Sequence, residues 1–164
     1  MTVGQRRVVL GLGNTLNTDE GLGVHALTLL QRETGVRTSV EFLDGGTLGL
    51  NLLPLIEETS HLLLLDAVNA GGDPGSVVEL SKEQIPLFAG VKLSQHQLTF
   101  QEVLGLAFVR GKFPEHLHLI GVQPADISIG VGMSDAVLRV LPDVLKRAER
   151  ILTEWGFVTP LKGV

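Results

Sequence analysis

The stretch His61–Val68 (HLLLLDAV) decides how the rest of the chain is read. Four consecutive leucines leave no polar face, and a continuous apolar run of this length suits a strand of a parallel sheet covered on both sides. It closes on Asp66, with Asn69 just beyond. Working outward, Val8–Leu12 (VVLGL) is a shorter β-branched run ended by Gly13-Asn14, which predicts a second buried strand. Between them Leu22, Ala26, Leu29 and Leu30 share one helical face, with Asp19 and Glu20 in the first turn, where the helix dipole favours anions. Val40–Leu43 predicts a further strand stopped by Asp44-Gly45-Gly46. Leu48–Ile56 predicts a helix shortened or kinked at Pro54.

On the C-terminal side, Gly71–Gly75 (GGDPG) is a turn too short to hold a helical crossover, so Val77–Leu80 is expected to return as an antiparallel edge strand. Gln84–Val91 predicts irregular chain. Phe100–Phe108 follows as a helix with Val103, Leu104 and Ala107 as its apolar stripe. His116–Val122 is the last strand, and Ser134–Trp155 a long amphipathic helix that Pro142 kinks or divides. The tail from Thr159 is expected to be loose. The order β-α-β-α-β-β-α-β-α specifies an α/β fold of three layers, α/β/α, with a mostly parallel five-stranded sheet and one antiparallel edge strand. No repeat or linker divides the 164 residues, so one domain over 1–164 is expected, with its core over about 6–155.

Composition narrows the function. Hydrophobic residues make up 44% of the chain but aromatics only 4%, so the core is built from Leu, Val and Ile. The net charge of −5, with scattered Lys and Arg, argues against nucleic acid. Cysteine is absent, which excludes disulfides, thiolate catalysis and Cys-ligated metals. No apolar stretch reaches the length of a signal core or a membrane span, so no membrane insertion and a cytoplasmic location are expected.

Ligands of open α/β sheets bind outside the carboxyl ends of the strands. That rim collects Gly11–Asn14 and Asp19-Glu20, then Asp44 with its two glycines, then Asp66 and Asn69. Ser94 and His96 join it from the loop before the third main helix, and Gln123-Pro124 from the last strand. Each residue also has a plain structural reading. Asp19 suits a helix N-cap, Glu20 complements the dipole, Asp66 accepts backbone N–H groups in the following turn, and His96 is a surface or capping residue. Together, two carboxylates and one imidazole form an oxygen and nitrogen donor set suited to zinc or nickel, with positions left open for substrate or water. Gly11-x-Gly13 after a strand, with Asp44 ending the next, keeps a Rossmann-like dinucleotide-binding module as the alternative, although Leu16 stands where the third glycine belongs. Neither G-x-S-x-G nor H-E-x-x-H occurs. His116 and His118 read as strand-edge polar residues, His25 as a surface or interhelical one, and His61 shows no partner in sequence.

The segments GLGNTLNTDEGLG (11–23), LDGGTLG (43–49), LLLLDAV (62–68), SQHQLTFQEVL (94–104) and GVQP (121–124) together resemble the hydrogenase maturation endopeptidases, over a span from Val8 to about Leu152. The resemblance implies a twisted five-stranded sheet between helices. It also implies an endopeptidase that removes a short C-terminal extension from the nickel–iron hydrogenase large-subunit precursor after nickel insertion. Carried over residue by residue, the metal set falls on Glu20, Asp66 and His96, and Asp44 becomes a candidate for catalysis or substrate discrimination. Nickel is then supplied by the substrate, with zinc or cadmium as substitutes in vitro. A non-catalytic chaperone of the large subunit is a third possibility.

Overall fold

In the computed structural model, residues 4–85 and 95–159 are described, with side chains from 100 onward in the second span. Five strands form one sheet in the order β2-β1-β3-β5-β4. They are β1 (Arg6–Leu12), β2 (Glu41–Gly46), β3 (Thr59–Ala67), β4 (Val77–Ser81) and β5 (His116–Val122). β1, β2, β3 and β5 are mutually parallel, and β4 runs antiparallel along β5. The leucine run occupies the middle of the sheet: Leu62–Leu65 are each at most 2% exposed.

Alternation along the strands divides the core in two. Val9, Leu63, Leu65, Ile120 and Val122 face α1 (Leu22–Thr34) and α4 (Asp135–Glu154). Val8, Leu10, Leu62, Leu64 and Leu119 face the other way, onto α2 (Leu53–Glu57) and α3 (Gln95–Val109). These are the three layers the strand pattern predicts. No helix among the described residues is long and apolar enough to cross a membrane.

Element ends depart from expectation for local reasons. β2 does not stop at Leu43 but continues through Asp44-Gly45-Gly46, because the register shifts between Gly11 and Leu12 and lets the glycines stay paired. Of the two outcomes expected at Pro54, the helix is short, five residues, and not kinked. Pro54 sits in the first turn of α2, where a missing N–H costs nothing, after a 3-10 turn over Gly49–Leu52. α4 runs through Pro142 without ending. α3 begins five residues earlier than the apolar stripe suggests, so His96 lies on its first turn rather than in a preceding loop. The expectation of irregular chain over Gln84–Val91 and the position of Ser94 lie mostly outside the described residues, although Gln84 closes a 3-10 turn.

At the amino end of the sheet, the imidazoles of His61 and His116 stack with centroids 4.2 Å apart, flanked by Trp155 and Phe157. The Arg7 guanidinium covers the Phe157 ring at 4.4 Å. Thr159 is held at this end as well: its N–H donates to the Arg37 carbonyl, and its carbonyl accepts from Arg37 Nη1. His118 is paired with Glu79, which also binds Arg147 and Arg150. It is therefore part of a charge network that ties β4 and β5 to α4.

Candidate active site

The strand order reverses at β1. The chain leaves β1 toward β2, then returns past β1 to β3, so the crevice between the carboxyl ends of β1 and β3 is the topological switch point. Gly13 ends β1's exit and Asp66 is the penultimate residue of β3, so both stand at this crevice.

Two glycines press the flanking segments onto it. Gly23, in the first turn of α1, lies where a Cβ would come within 2.1 Å of the Leu65 carbonyl and 2.4 Å of the Leu12 carbonyl. The helix start therefore rests directly on the ends of both strands, and the residues just before it are delivered over the crevice. Gly13 has φ +120, and a Cβ there would fall 1.9 Å from the Glu20 carbonyl oxygen and 3.8 Å from Asp66 Oδ1. Only a hydrogen fits between these groups. Glu20 and Asp66, far apart in sequence, thus flank one glycine.

Asp66 is fully buried at 0% exposure, and its Oδ1 accepts the Ala67 N–H at 2.8 Å. Burying a carboxylate on a strand of leucines is costly unless donors or a cation offset it. Glu20 is half-buried in the 3-10 turn Thr18–Gly21, its N–H donating to the Asn17 carbonyl. Asp44 is exposed at the end of β2. Its Oδ1 accepts the Gly46 N–H at 2.8 Å, and the Gly46 carbonyl in turn accepts the Gly13 N–H at 2.9 Å. Asp44 is thereby tied through two hydrogen bonds to the glycine that Glu20 and Asp66 flank. The backbone of His96 is on the first turn of α3, and its side chain lies outside the described residues. Among the described residues no group of three His, Cys, Asp or Glu side chains is arranged to hold a metal.

Asp19 does not cap its helix. It is fully buried and accepts four hydrogen bonds from the far side of the rim. These come from the N–H groups of Ala125 (2.9 Å), Asp126 (3.0 Å) and Ser134 (2.7 Å), and from the Ser134 hydroxyl (2.7 Å). Burial pushes its pKa up, but the bonds from Ser134, Ala125 and Asp126 outweigh it and hold the carboxyl below its ordinary range. One residue earlier, Thr18 sits at φ +48, the lone non-glycine among the described residues with positive φ. A β-branched residue is strained there. Its hydroxyl offsets that strain by donating to the carbonyls of Asp126 (2.6 Å) and Ser128 (3.1 Å).

A family model for hydrogenase maturation proteases matches residues 24–151. The chain belongs to the hydrogenase maturation protease family. It is 40% identical over 153 residues to the hydrogenase expression/formation protein HupD of Rhizobium leguminosarum bv. viciae, covering 92% of this chain and 76% of that one. It is 36% identical to the hydrogenase 2 maturation protease of Escherichia coli, covering 92% and 93% of the two chains. The solved structure of the hydrogenase maturating endopeptidase HybD from E. coli superposes with a TM-score of 0.83 at 34% identity, over 93% of this chain and 94% of that one.

The protein is thus a hydrolase, an endopeptidase of hydrogenase maturation, and the dinucleotide-module and chaperone alternatives fall away. Three residues of this maturation protease build the rim through distant bonds that local sequence does not announce, although strand polarity already puts Asp19 and Gln123 there. Asp19 and Thr18 bind the 125–134 loop, and Gln123 fixes the segment after Asp66. The Gln123 Oε1 accepts from Ala70 (2.9 Å) and Gly72 (3.3 Å), and its amide donates to Asn69 (3.2 Å). The signal for Gln123 was a buried-strand exit written G-V-Q-P; for Thr18 there was none.

Proposed function

We propose that this protease removes a C-terminal extension from a nickel–iron hydrogenase large-subunit precursor once nickel has been inserted. In this reading Glu20, Asp66 and His96 contact the substrate's nickel, and Asp44 stands beside the scissile segment. The observation that carries it is the placement of Asp66 and the Glu20 segment on either side of Gly13, at the switch point of the sheet. Two carboxylates and an imidazole are donors that nickel accepts, and zinc or cadmium would serve as stand-ins in vitro. The ion is cargo of the substrate. Its charge beside the scissile carbonyl would polarise that bond toward water. The chain's own groups hold the ion, exclude misplaced substrate and offer carboxylates for proton transfer. A cysteine-free chain of this kind is suited to the cytoplasm, where the reaction is placed.

The test mixes the purified protein with nickel-loaded and nickel-free precursor and weighs the products by mass spectrometry. Cleavage of the loaded form alone is expected. Equal cleavage of both would overturn metal recognition. Full activity of a Glu20→Ala/Asp66→Ala double variant would overturn the site assignment.

A further inference from the structure

Thr18 stands where the backbone favours glycine. At φ +48 a branched Cβ is strained, and such a residue persists only where its surroundings over-determine it. Glycine or asparagine would turn the chain here with little strain. What threonine adds is a hydroxyl and a methyl, and both are in use. The hydroxyl hydrogen is shared between the carbonyls of Asp126 at 2.6 Å and Ser128 at 3.1 Å. The methyl lies where a Cβ on Gly130 would come within 3.0 Å of it. The Thr18 N–H donates to the Gly130 carbonyl at 3.1 Å, so this one residue reaches three carbonyls of the 125–134 segment.

The loop around Thr18 is otherwise closed on itself. Asn17 donates its N–H to the Asn14 carbonyl at 3.1 Å, and Glu20 donates its N–H to the Asn17 carbonyl at 3.0 Å. A Cβ on Gly21 would come within 2.7 Å of the Thr15 Cα. These contacts hold the loop's shape but do not fix its angle to the sheet. That angle is set at the corner. The Asp126 carbonyl accepts both the Thr18 hydroxyl and the Asp19 N–H (3.0 Å), which clamps the two residues directly before Glu20. With the Asp19 carboxylate held as well, only ψ of Asp19 and φ of Glu20 remain to turn between this clamp and the Glu20 side chain. A change of φ at Thr18 would therefore swing the Glu20 carboxylate relative to Gly13 and Asp66.

We infer that Thr18 is a positioning residue for Glu20, its left-handed backbone and anchored hydroxyl setting the direction from which that carboxylate meets the substrate's nickel. The inference rests on the proposed contact between Glu20 and nickel. Asp19 joins the two segments, and Thr18 sets the angle at which they join.

The test titrates nickel(II) alone into wild type, Thr18→Gly, Thr18→Ser, Glu20→Ala and Thr18→Gly/Glu20→Ala by calorimetry. Melting temperatures are measured in parallel, and the same cycle is read on kcat/KM for nickel-loaded precursor. Thr18→Gly loses the hydroxyl bond but relieves the strain, so it should melt within about 4 °C of wild type. Its nickel affinity and its kcat/KM should nevertheless each fall about tenfold, the loss typical of removing a group that orients a metal ligand. Thr18→Ser keeps the hydroxyl and should stay within about threefold of wild type in both. In the Glu20→Ala background Thr18→Gly should change neither quantity further, because a residue that acts through Glu20 has nothing left to position. A Thr18→Gly protein that binds nickel and cleaves like wild type overturns the role. So does a Thr18→Gly loss that recurs in full without Glu20, or a Thr18→Ser protein as impaired as Thr18→Gly. A Glu20→Ala protein that itself binds nickel and cleaves like wild type overturns the proposed nickel contact, and the positioning role with it.

Discussion

Replacing Asp19 by Ala should be among the most destabilising single changes available outside the apolar core. The carboxylate serves three backbone N–H groups and one hydroxyl, all on the segment 125–134. Without it the Ser134 hydroxyl can turn to other partners, but the three amides lose their acceptor. Each amide stranded away from water costs about 1–3 kcal/mol, and the loop can open enough to hydrate one of them. The expected loss is then about 4 kcal/mol, a large part of the roughly 5–15 kcal/mol that holds a domain of this kind together. For a chain of this length it corresponds to a melting temperature lower by about 10 °C. Asp19→Asn keeps one carbonyl oxygen but turns amide hydrogens toward other donors, and should cost about half as much. The assay is urea unfolding followed by circular dichroism, with Ser134→Ala and the double variant completing a cycle. The effects of Asp19→Ala and Ser134→Ala should be strongly non-additive. The contribution also has a pH signature. The folded carboxyl titrates below its ordinary 3.8, so its stabilisation is fully present above that value and is lost as pH falls through the lower folded pKa. An Asp19→Ala protein that melts within about 2 °C of wild type would refute the latch.

Three further outcomes follow from other sites. Gly13→Ala should abolish cleavage and lower stability by several kcal/mol, since the new methyl meets the Glu20 carbonyl at 1.9 Å in a strained φ region; an active Gly13→Ala enzyme would show that this close approach is dispensable. Burial, then the neighbouring His116 and Arg7, hold the His61 pKa below its ordinary 6.5. Its stabilisation is therefore present above that pH and lost as pH falls below it. Wild type should lose stability as pH falls below 6.5 toward the lowered folded pKa, and His61→Phe should flatten that limb in denaturant titrations; an unchanged slope would assign the loss elsewhere. Glu79→Ala removes the shared partner of His118, Arg147 and Arg150, and should cost about 1–3 kcal/mol in urea unfolding with cleavage retained.

The fold was readable because its signals are collective. A four-leucine run has no amphipathic way to exist, so it forces a two-sided sheet. The short GGDPG turn forces the antiparallel return of β4. The rim followed from strand polarity alone, and with it the grouping of Glu20, Asp44 and Asp66. Local signals misled where a distant partner takes over. Asp19 reads as a helix cap because nothing nearby announces that Ser134, more than a hundred residues on, supplies its donors. His61 reads as solitary because its stacking partner belongs to a strand 55 residues later. The strained φ of Thr18 is invisible in sequence, since threonine is among the residues least suited to it.

The clasp at the amino end of the sheet has a practical consequence. β1 enters there at Arg6, and Thr159 is pinned there to Arg37. Both ends of the described chain therefore emerge from the base of the molecule, with the length of the strands between them and the rim. Coupling the protein to a biosensor surface, a resin or a fluorophore through either end would point the crevice away from the support, leaving room for a partner as bulky as a folded hydrogenase subunit.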